Sequence, residues 1–494
     1  MSGGKGRMAA KVLLLSVPLA ALWLVAQELA DPPGQGGSTT APAPAPVISP
    51  GAAERLGGSI RLRTVSHADP AAIDASSFAA LHDYLESSFP QAHAALRRES
   101  VGMHSLLYTW QGSDTTLRPV LLAAHLDVVP VEPGTESQWQ EAPFGGTLAD
   151  GFVWGRGAID NKSAVLGTLE AVEMLLSEGF RPKRTIHLAF GHDEEVGGRA
   201  GAREIAALLS RRGVRLELVL DEGGVIGDGI MPGIGGPLAL VGIAEKGFVS
   251  AELSAEAPGG HSSLPPRQSA IGIVSAAVAR LEAHPLPARV EGATAQLFRA
   301  LSPQLPFVQR AVFRNLWLTE PLVVRKLEAS PTTNAMVRTT TAVTVFEGGT
   351  KENILPTHAR AVVNFRILPG DSVEGVLQHV RRVIGDQRVA VRRAATFTAE
   401  PSAVSSTASE GYRLLARSIR EVDPAITVAP YLVVVATDAR YYADLSDDVY
   451  RFLPVRLGPD DLPRVHGIDE RLGVEDYERA IRFYRQFMLN IAAR

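Results

Sequence analysis

Residues Val120-Leu-Leu-Ala-Ala-His-Leu-Asp127 show the pattern that decides the fold: an apolar run of strand length ends in a polar cluster. Two further runs along the chain repeat it. Short apolar runs bounded by polar residues are typical of buried strands. The other two are Ile186-His-Leu-Ala-Phe190, followed by His192-Asp-Glu-Glu195, and Leu216-Glu-Leu-Val-Leu220, followed by Asp221-Glu222.

An amphipathic helix lies between the first two runs. Val165, Leu169, Val172 and Leu176 recur at helical spacing and therefore share one face, and Gly179 follows as a helix terminator. Strands that alternate with helices predict an α/β fold, in which a mainly parallel sheet has helices on both faces.

The three polar clusters are expected to meet in space, because ligand sites of open parallel sheets lie beyond the carboxyl ends of the strands. Asp127 is well placed to orient His125, as carboxylates orient metal-binding histidines. Glu194 and Glu195 are adjacent acids, which repel each other unless a cation or a proton intervenes. Singly, each acid could be a solvated loop residue, and Asp160 could be a helix cap. Together, at matched strand ends, they predict a metal site.

The sequence pattern changes after residue 246. Residues 248–254, 340–346 and 359–365 alternate as half-exposed antiparallel strands do, and a helical stretch covers 270–281. We predict an inserted α+β domain over 247–397, with an extra helical segment at about 285–330. Residues 52–246 and 398–494 then form the two parts of the catalytic domain, which ends in a helix over 474–492.

The N-terminal 30 residues are predicted to be a signal anchor or a cleaved signal peptide. Lys5, Arg7 and Lys11 precede an apolar run over 12–26, and the residues that follow make a poor cleavage site. A Pro/Ala-rich linker follows at 31–51. The basic flank predicts an exported body, either membrane-anchored or, after cleavage, secreted or periplasmic.

Composition excludes several function classes. The chain has 494 residues, no cysteine and a formal net charge of −4. Disulfides and thiolate ligands are therefore excluded, and without a dominant basic field nucleic acid is not expected as a partner. The segment Gly227-Asp-Gly-Ile-Met-Pro232 has proline where a dinucleotide-binding loop needs glycine, and no Gly-x-Ser-x-Gly motif is present.

Several motifs, in order, resemble the di-zinc aminoacylase/carboxypeptidase metallopeptidases, and most of all the carboxypeptidase S branch, which includes N-acyl-amino-acid hydrolase/synthase enzymes. The resemblance extends over residues 55–492. The motifs are Ala124-His-Leu-Asp-Val-Val-Pro130, Trp154-Gly-Arg-Gly-Ala-Ile-Asp-Asn-Lys162, Gly191-His-Asp-Glu-Glu-Val-Gly-Gly198, Leu220-Asp-Glu-Gly-Gly224, Gly259-Gly-His-Ser-Ser263 and Val465-His-Gly467.

The resemblance implies two zinc ions per subunit and a set of site residues. One zinc would be held by His125, Asp160 and Asp221, and the other by Asp160, Glu195 and His466. Asp127 would orient His125, and Glu194 would be the general base that takes the proton of a metal-bound water. It also implies His261 as an oxyanion donor, Arg366 as the ligand of a substrate carboxylate and Asn353 as its polar companion.

The expected activity is zinc-dependent hydrolysis of the amide bond next to a C-terminal amino acid, as in a carboxypeptidase acting on small peptides. An N-acyl-amino-acid amidohydrolase or synthase is the alternative, because both bonds are amides. A non-catalytic peptide-binding protein is a weaker alternative. The resemblance further implies that the inserted domain is a ferredoxin-like lid or dimerisation domain, through which the chain could form a homodimer.

Overall fold

The computed structural model describes residues 41–231 and 234–492. The predicted signal segment at 1–30 and the first part of the linker lie outside these residues. Among the described helices, none combines the length and the apolar character that crossing a bilayer requires.

The helices and strands alternate through the first half of the chain, as the sequence predicts. The helices are α1 (Ala52–Ile60), α2 (Ala75–Ser88), α3 (Pro90–Ala95), α4 (Lys162–Ser177), α5 (Ala202–Arg211), α6 (Ala270–Ala283), α7 (Gly292–Leu301), α8 (Phe307–Arg314), α9 (Leu316–Leu327), α10 (Pro331–Ala335), α11 (Val373–Ile384), α12 (Glu410–Val422) and α13 (Val474–Ala492). The strands are β1 (Arg97–Val101), β2 (Ser105–Trp110), β3 (Val120–His125), β4 (Thr147–Ala149), β5 (Phe152–Trp154), β6 (Ile186–Gly191), β7 (Leu218–Asp221), β8 (Ile226–Gly227), β9 (Leu238–Glu245), β10 (Gly247–Glu256), β11 (Gly260–His261), β12 (Thr340–Gly348), β13 (Ile354–Leu355), β14 (His358–Ile367), β15 (Val389–Arg393), β16 (Thr427–Val433), β17 (Val449–Arg451), β18 (Arg456–Leu457) and β19 (Arg471–Gly473).

A ten-stranded central sheet carries the strand-end clusters. Its order is β1-β2-β6-β3-β7-β17-β9-β8-β18, and β16 pairs with β9. The pairs of β3 with β6 and β7, of β17 with β7, of β16 with β9 and of β18 with β8 are parallel. The predicted mainly parallel sheet is confirmed, with antiparallel pairing at the edge strands β1 and β2 and between β9 and its neighbours β8 and β17.

Helices cover both faces of the central sheet. Successive residues of a strand point to opposite faces, so each strand contributes side chains to two apolar cores. Leu122 and Leu188 lie in the larger core, which α4, α12 and α13 close. Their neighbours Leu121 and Ala189 lie in a second core, which α5 closes on the opposite face. Apolar burial on both faces explains why these strands are continuous apolar runs rather than alternating ones.

The region after β9 forms a separate four-stranded antiparallel sheet in the order β12-β14-β10-β15. Helices α6 and α11 cover one face and close their own apolar core. A strand order of this kind, with one helix after β10 and another after β14, is the ferredoxin-like arrangement that was expected. The boundaries predicted for the domains, at 246 and 397, stay a prediction.

The predicted helical segment consists of α7 to α10, inserted between α6 and β12. Helix α7 packs on β16 of the central sheet, with Leu297 and Phe298 in a shared apolar core. The rings of Phe298 and Phe313 stack with centroids 4.5 Å apart, which attaches α8 to α7.

Candidate metal centre

The three strand-end clusters meet at the carboxyl edge of the central sheet. Strand β3 lies between β6 and β7, and His125 at its end is in register with Gly191. Glu194 and Glu195 follow β6 in a single 3-10 turn. Parallel pairing therefore brings together side chains that are far apart in sequence.

His125 is the centre of the group and is almost fully buried. Its Nε2 lies 2.9 Å from Asp160 Oδ1 and 3.3 Å from Glu222 Oε1. Its Nδ1 lies 2.9 Å from the Asp127 carbonyl oxygen and 3.3 Å from Asp127 Oδ1. Burial opposes a charge on this imidazole, but Glu222, Asp127 and Asp160 outweigh burial and raise the pKa of His125 well above its usual range.

Asp160 lies between two imidazoles, as a bridging ligand would. Its Oδ1 faces His125, and its Oδ2 lies 3.1 Å from His466 Nε2. The same His466 nitrogen lies 3.2 Å from Glu195 Oε2. Burial opposes the charge on Asp160, but hydrogen bonds with the two histidines keep the pKa of Asp160 low. Hydrogen bonds to Asp160 and then Glu195 raise the pKa of His466 to about 10.

The structure places Glu222, and not Asp221, next to His125. The ligand atoms of His125, Glu194 and Glu222 lie within 4.8 Å of one another, and so do those of His125, Asp160 and Glu195. Asp221 belongs to neither group. Asp221 is buried, and its Oδ2 has no hydrogen-bond partner in the described part of the chain. Asp221 therefore stays the predicted ligand, and Glu222 is a second candidate for the same ion.

Asp127 contacts His125, and it also fixes the turn that carries Glu194 and Glu195. Its two carboxylate oxygens accept hydrogen bonds from the backbone N–H groups of Glu194 (3.2 Å) and Glu195 (3.1 Å). The side chain is completely buried. One carboxylate thus contacts His125 and sets the position of the two neighbouring acids.

Glu194 and Glu195 are crowded by other acids. Burial raises the pKa of Glu194 well above its usual range, and repulsion from Asp438, Glu222 and Glu195 adds to this, while His125 opposes it. Burial likewise raises the pKa of Glu195, whose Oε1 is buried without a hydrogen-bond partner in the described part of the chain.

The donor set fits divalent metal ions. Carboxylates and imidazoles converge here, and Glu194, Glu195, Asp160 and Glu222 form no ion pair with lysine or arginine in residues 41–231 and 234–492. Oxygen and nitrogen ligands of this kind suit zinc. A cation would relieve the repulsion among the acids and give the orphaned Glu195 oxygen a partner.

A buried ion pair that the sequence did not reveal holds the two ligand loops. Glu470 accepts hydrogen bonds from the backbone N–H groups of Gly157, Ile159 and Asp160 at 3.0, 2.9 and 3.2 Å. Its other oxygen lies 2.6 Å from Arg156 Nη1. Arg156 Nη2 in turn donates to the carbonyl oxygens of His466 and Gly467, each at 3.1 Å. His466 has a left-handed backbone with φ of 62°, which these contacts support.

A cavity of about 630 Å³ opens over the centre. Its lining includes an apolar wall of aliphatic side chains and, from the ferredoxin-like sheet, Arg366, which is in register with Phe248. The Arg366 guanidinium lies 4.7 Å from the Phe248 ring centroid, and burial lowers its pKa. The apolar wall consists of Ile159, Val225, Leu453, Leu457 and Val465.

His261 and Asn353 do not line this cavity. They share the two-stranded ribbon of β11 and β13, where Ser262 donates to the Asn353 carbonyl oxygen. His261 is exposed, and its Nδ1 lies 2.7 Å from Ser263 Oγ. A single chain therefore does not bring these two predicted residues to the metal ligands.

A model of peptidase family M20/M25/M40 matches residues 121–490. The chain is 41% identical over 442 residues to a probable carboxypeptidase S-like 2 of Dictyostelium discoideum, covering 89% of this chain and 84% of that protein. It is 41% identical over 441 residues to the N-fatty-acyl-amino acid synthase/hydrolase PM20D1 of Mus musculus, covering 88% and 87%.

Solved structures of similar fold include an M20 family metallo-carboxypeptidase of Sulfolobus solfataricus. It superimposes with a TM-score of 0.65 at 17% identity, covering 88% of this chain and 98% of that one. Human carnosine dipeptidase 1 superimposes with a TM-score of 0.62, also at 17% identity, covering 90% and 96%. At this identity the two structures support the fold.

Proposed function

The chain belongs to peptidase family M20/M25/M40, and on that premise we propose that it hydrolyses the amide bond next to an amino acid with a free carboxylate. It is a metal-dependent hydrolase of peptides or acyl amino acids. The observation that carries the proposal is the convergence of two imidazoles and several carboxylates under a cavity that also contains Arg366.

Two zinc ions are proposed for the centre. His125 and Asp160 would hold one together with Asp221 or Glu222, and Asp160, Glu195 and His466 would hold the other. Asp160 would bridge them, which agrees with its two oxygens facing different imidazoles. When bound, zinc polarises the scissile carbonyl and lowers the pKa of water.

Glu194 is proposed as the general base. It is half-buried within the ligand group and forms no ion pair with a lysine or arginine of the described residues, so its carboxylate is free to accept a proton. Glu194 would take a proton from the attacking water and give it to the leaving nitrogen. A protein that only bound peptides would not need an acid in this position, which argues against the non-catalytic alternative.

Arg366 is proposed to bind the substrate carboxylate. It lines the cavity, it is half-buried, and it forms no ion pair with any acid of the described chain. A half-buried guanidinium without an acidic partner favours an anionic ligand, and its planar donors match a carboxylate. Such a ligand would fix the amino-acid end of the substrate on the ferredoxin-like sheet.

The apolar wall favours N-acyl amino acids over small polar peptides. The cavity is lined by aliphatic side chains, and the acids in its lining are those of the proposed metal centre. A fatty acyl group would bury apolar surface there. The similarity to an N-fatty-acyl-amino acid synthase/hydrolase supports this second, narrower proposal.

A paired substrate panel tests both levels of the proposal. Purified, zinc-loaded protein would be assayed with Gly-Leu dipeptide, with N-oleoyl-Phe and with the amide of N-oleoyl-Phe. We expect N-oleoyl-Phe to be cleaved fastest and its amide to be cleaved poorly. Faster cleavage of the dipeptide would select the carboxypeptidase activity, and no cleavage of either acid would refute the substrate class.

His261 and Asn353 are proposed to act from a second subunit or after closure of the inserted domain, because their ribbon is exposed in a single chain. A mixing experiment separates these options. If His261 acts across a homodimer, His261→Ala mixed with Glu194→Gln should recover activity that neither variant has alone. Absence of recovery in verified mixed dimers would leave closure within one subunit.

The N-terminal segment is proposed to export the body and to anchor it to the membrane, or to be cleaved after export. Its basic flank and its apolar run at 12–26 support this assignment. Mass spectrometry of the mature protein from the membrane and soluble fractions of its host would distinguish the two fates.

A further inference from the structure

The ferredoxin-like sheet is joined to the central sheet by two chain segments that run side by side. One leads from β9 into β10, and the other leads from β15 towards α12. Phe248 and Ala399 exchange two backbone hydrogen bonds, at 2.8 and 2.9 Å, and Ser402 N–H donates to the Glu245 carbonyl oxygen. We call these two segments, residues 245–248 and 397–402, the hinge, because any rotation of one sheet relative to the other passes through them.

Aromatic rings and guanidinium groups form a continuous stack across the hinge. The ring centroids of Phe248 and Phe397 lie 5.5 Å apart. The Arg366 guanidinium lies 4.7 Å from the Phe248 centroid, and the Arg440 guanidinium lies 4.6 Å from the Phe397 centroid. Such contacts are favourable, because ring faces attract cations and tilted rings attract each other. The stack therefore connects Arg366 of the ferredoxin-like sheet with Arg440, which follows β16 of the central sheet.

The far end of the stack holds the turn that carries Glu194. Arg440 Nη2 and Tyr441 Oη both donate to the Gly197 carbonyl oxygen, at 3.0 and 2.6 Å. The Gly197 N–H group donates to the Glu194 carbonyl oxygen at 2.7 Å and closes the turn. A Cβ atom at position 197 would lie 3.5 Å from Cδ2 of Phe397. The Phe397 ring therefore packs against the turn that Arg440 holds.

The four members of the stack, Phe248, Arg366, Phe397 and Arg440, all line the cavity over the metal ligands. The Arg440 side chain is only 11% exposed, and its Nη1 donates to the Thr437 carbonyl oxygen, so packing and hydrogen bonds fix its position. Phenylalanine offers no ligand atom for zinc, and arginine stays protonated, so neither Phe397 nor Arg440 can hold the metal. A role in the reaction has to act through their neighbours.

We propose that Phe397 is a positioning residue through which the placement of Arg366 sets the position of the turn that carries Glu194. The inference rests on the proposed function, in which Arg366 binds the substrate carboxylate and Glu194 is the base. A bound carboxylate fixes Arg366, the two rings fix Arg440, and Arg440 fixes the turn through its Gly197 carbonyl oxygen. A free carboxylate on the substrate therefore raises kcat as well as lowering KM.

Replacing the ring at position 397 tests its role. Phe397→Leu keeps an apolar side chain but removes the ring faces, so kcat for N-oleoyl-Phe should fall about tenfold while KM changes by less than about threefold. Phe397→Tyr keeps the ring and should restore kcat. Phe152→Leu is the matched control, because it removes a ring 4.5 Å from the Arg471 guanidinium and should leave kcat unchanged. Wild-type kcat in Phe397→Leu, or an equal loss in Phe397→Tyr, overturns the proposal.

The acid and the amide of N-oleoyl-Phe test the connection to Arg366. For wild type, kcat should be clearly higher for the acid than for the amide, because only the acid fixes Arg366. For Phe397→Leu the two kcat values should converge, since the ring that connects Arg366 with the turn is absent. Equal proportional losses on acid and amide would show that Phe397 supports the turn without any connection to Arg366, and they would overturn the proposal.

A double-variant cycle tests the path through Arg440. Arg440→Lys keeps the charge but loses the planar donors that hold Gly197, so kcat should fall by a similar factor. Because the ring and the guanidinium act on the same turn, Phe397→Leu/Arg440→Lys should lose little more than the larger single loss. Losses that multiply would show independent actions and would refute this path.

Hydrogen–deuterium exchange gives a measurement that does not depend on turnover. In the zinc-loaded full chain, Phe397→Leu should exchange the backbone amides of residues 194–198 several-fold faster than wild type, whereas Phe152→Leu should not. Unchanged exchange in Phe397→Leu overturns the positioning role whatever the substrate is. If wild type cleaves no substrate with a free carboxylate, the proposed function fails, and faster exchange at 194–198 would still support Phe397 as the residue that positions the turn.

Discussion

Arg156 and Glu470 form a buried ion pair across 314 residues of sequence, with Arg156 Nη1 2.6 Å from Glu470 Oε2. The pair joins the loop before α4, which carries Asp160, to the loop before α13, which carries His466. Two ligands of the proposed centre thus depend on one contact that itself touches neither metal nor substrate. Glu470 is a positioning residue for both.

Replacing Glu470 should weaken zinc binding. Outer partners of metal ligands typically contribute about 10- to 100-fold in affinity, so Glu470→Gln should lower zinc affinity within that range. Competition with a chelator measures it. Glu475→Gln, an exposed acid five residues further on, is the control and should bind zinc as wild type does. Unchanged affinity in Glu470→Gln would contradict the positioning role.

Glu194→Gln should separate catalysis from metal binding. With both proton transfers impaired, kcat should fall by about three orders of magnitude or more, and the zinc content should stay at the wild-type level. Glu195→Gln, the neighbouring residue in the same turn, should instead lose zinc. Substantial turnover by Glu194→Gln would remove it as the base.

Variants of Glu222 and Asp221 are expected to differ in zinc content. Glu222→Gln removes an oxygen that lies 3.3 Å from His125 Nε2 and should reduce the zinc content by one ion per subunit. If Glu222 rather than Asp221 is the ligand, Asp221→Asn should retain both ions, because Asp221 lies outside the groups of converging ligand atoms. Elemental analysis of the two purified variants decides between them, and the reverse result would identify Asp221 as the ligand.

Arg366→Ala should raise KM for substrates with a free carboxylate by about tenfold or more, since a charge-assisted hydrogen bond contributes roughly 1.5–3 kcal/mol. The amidated substrate should be affected little. Arg360→Ala is a matched control on the same strand, where Arg360 pairs with Glu347 at an exposed position. An equal loss on acid and amide would exclude carboxylate binding by Arg366.

His187 should make the fold sensitive to acid. Burial lowers the pKa of His187 to about 4, and the charges of Arg97 and Arg212 add to this. Between pH 6.5 and 4 the unfolded chain therefore binds the extra proton. Stability from this group is complete above pH 6.5 and declines by about 3 kcal/mol as the pH falls to 4.

His187→Gln should remove that part of the pH dependence. The measurement is urea unfolding of metal-free wild type and variant at pH 7 and pH 4.5, so that metal release does not contribute. His379→Gln, at a partly exposed helix position, should keep the wild-type slope. A variant whose stability falls with acid as steeply as wild type would exclude His187 as the source.

The fold could be predicted from sequence periodicity, because a strand that is buried on both faces appears in the sequence as a continuous apolar run. Strands β3 and β6 and helix α4 are predicted close to their observed bounds for that reason. The ferredoxin-like strands β10 and β14 are visible through their alternation, since only one face is covered by helices. The expected fold class is confirmed.

The site is less visible in sequence where tertiary contacts decide it. The strand-end rule groups His125 with Glu194 and Glu195, but no periodicity tells which of Asp221 and Glu222 faces the centre, because a shift of one residue reverses a side chain. Glu470 leaves no local signal at all. Its role depends on tertiary contacts, because its hydrogen bonds form only when the loop that carries Asp160 packs against it in the folded protein.

The late position of β16, β17, β18 and His466 in the chain has a consequence for biosynthesis. Strands β7, β8 and β9 obtain these parallel neighbours only after the whole inserted region has been translated. A nascent or prematurely terminated polypeptide therefore holds half of the hydrolytic apparatus and an incomplete sheet, and its edge strands stay unpaired until the C-terminal part emerges. Hydrolytic activity is therefore expected only from full-length chains. Dependence on chaperones is expected to be greatest between translation of the inserted region and emergence of the C-terminal part.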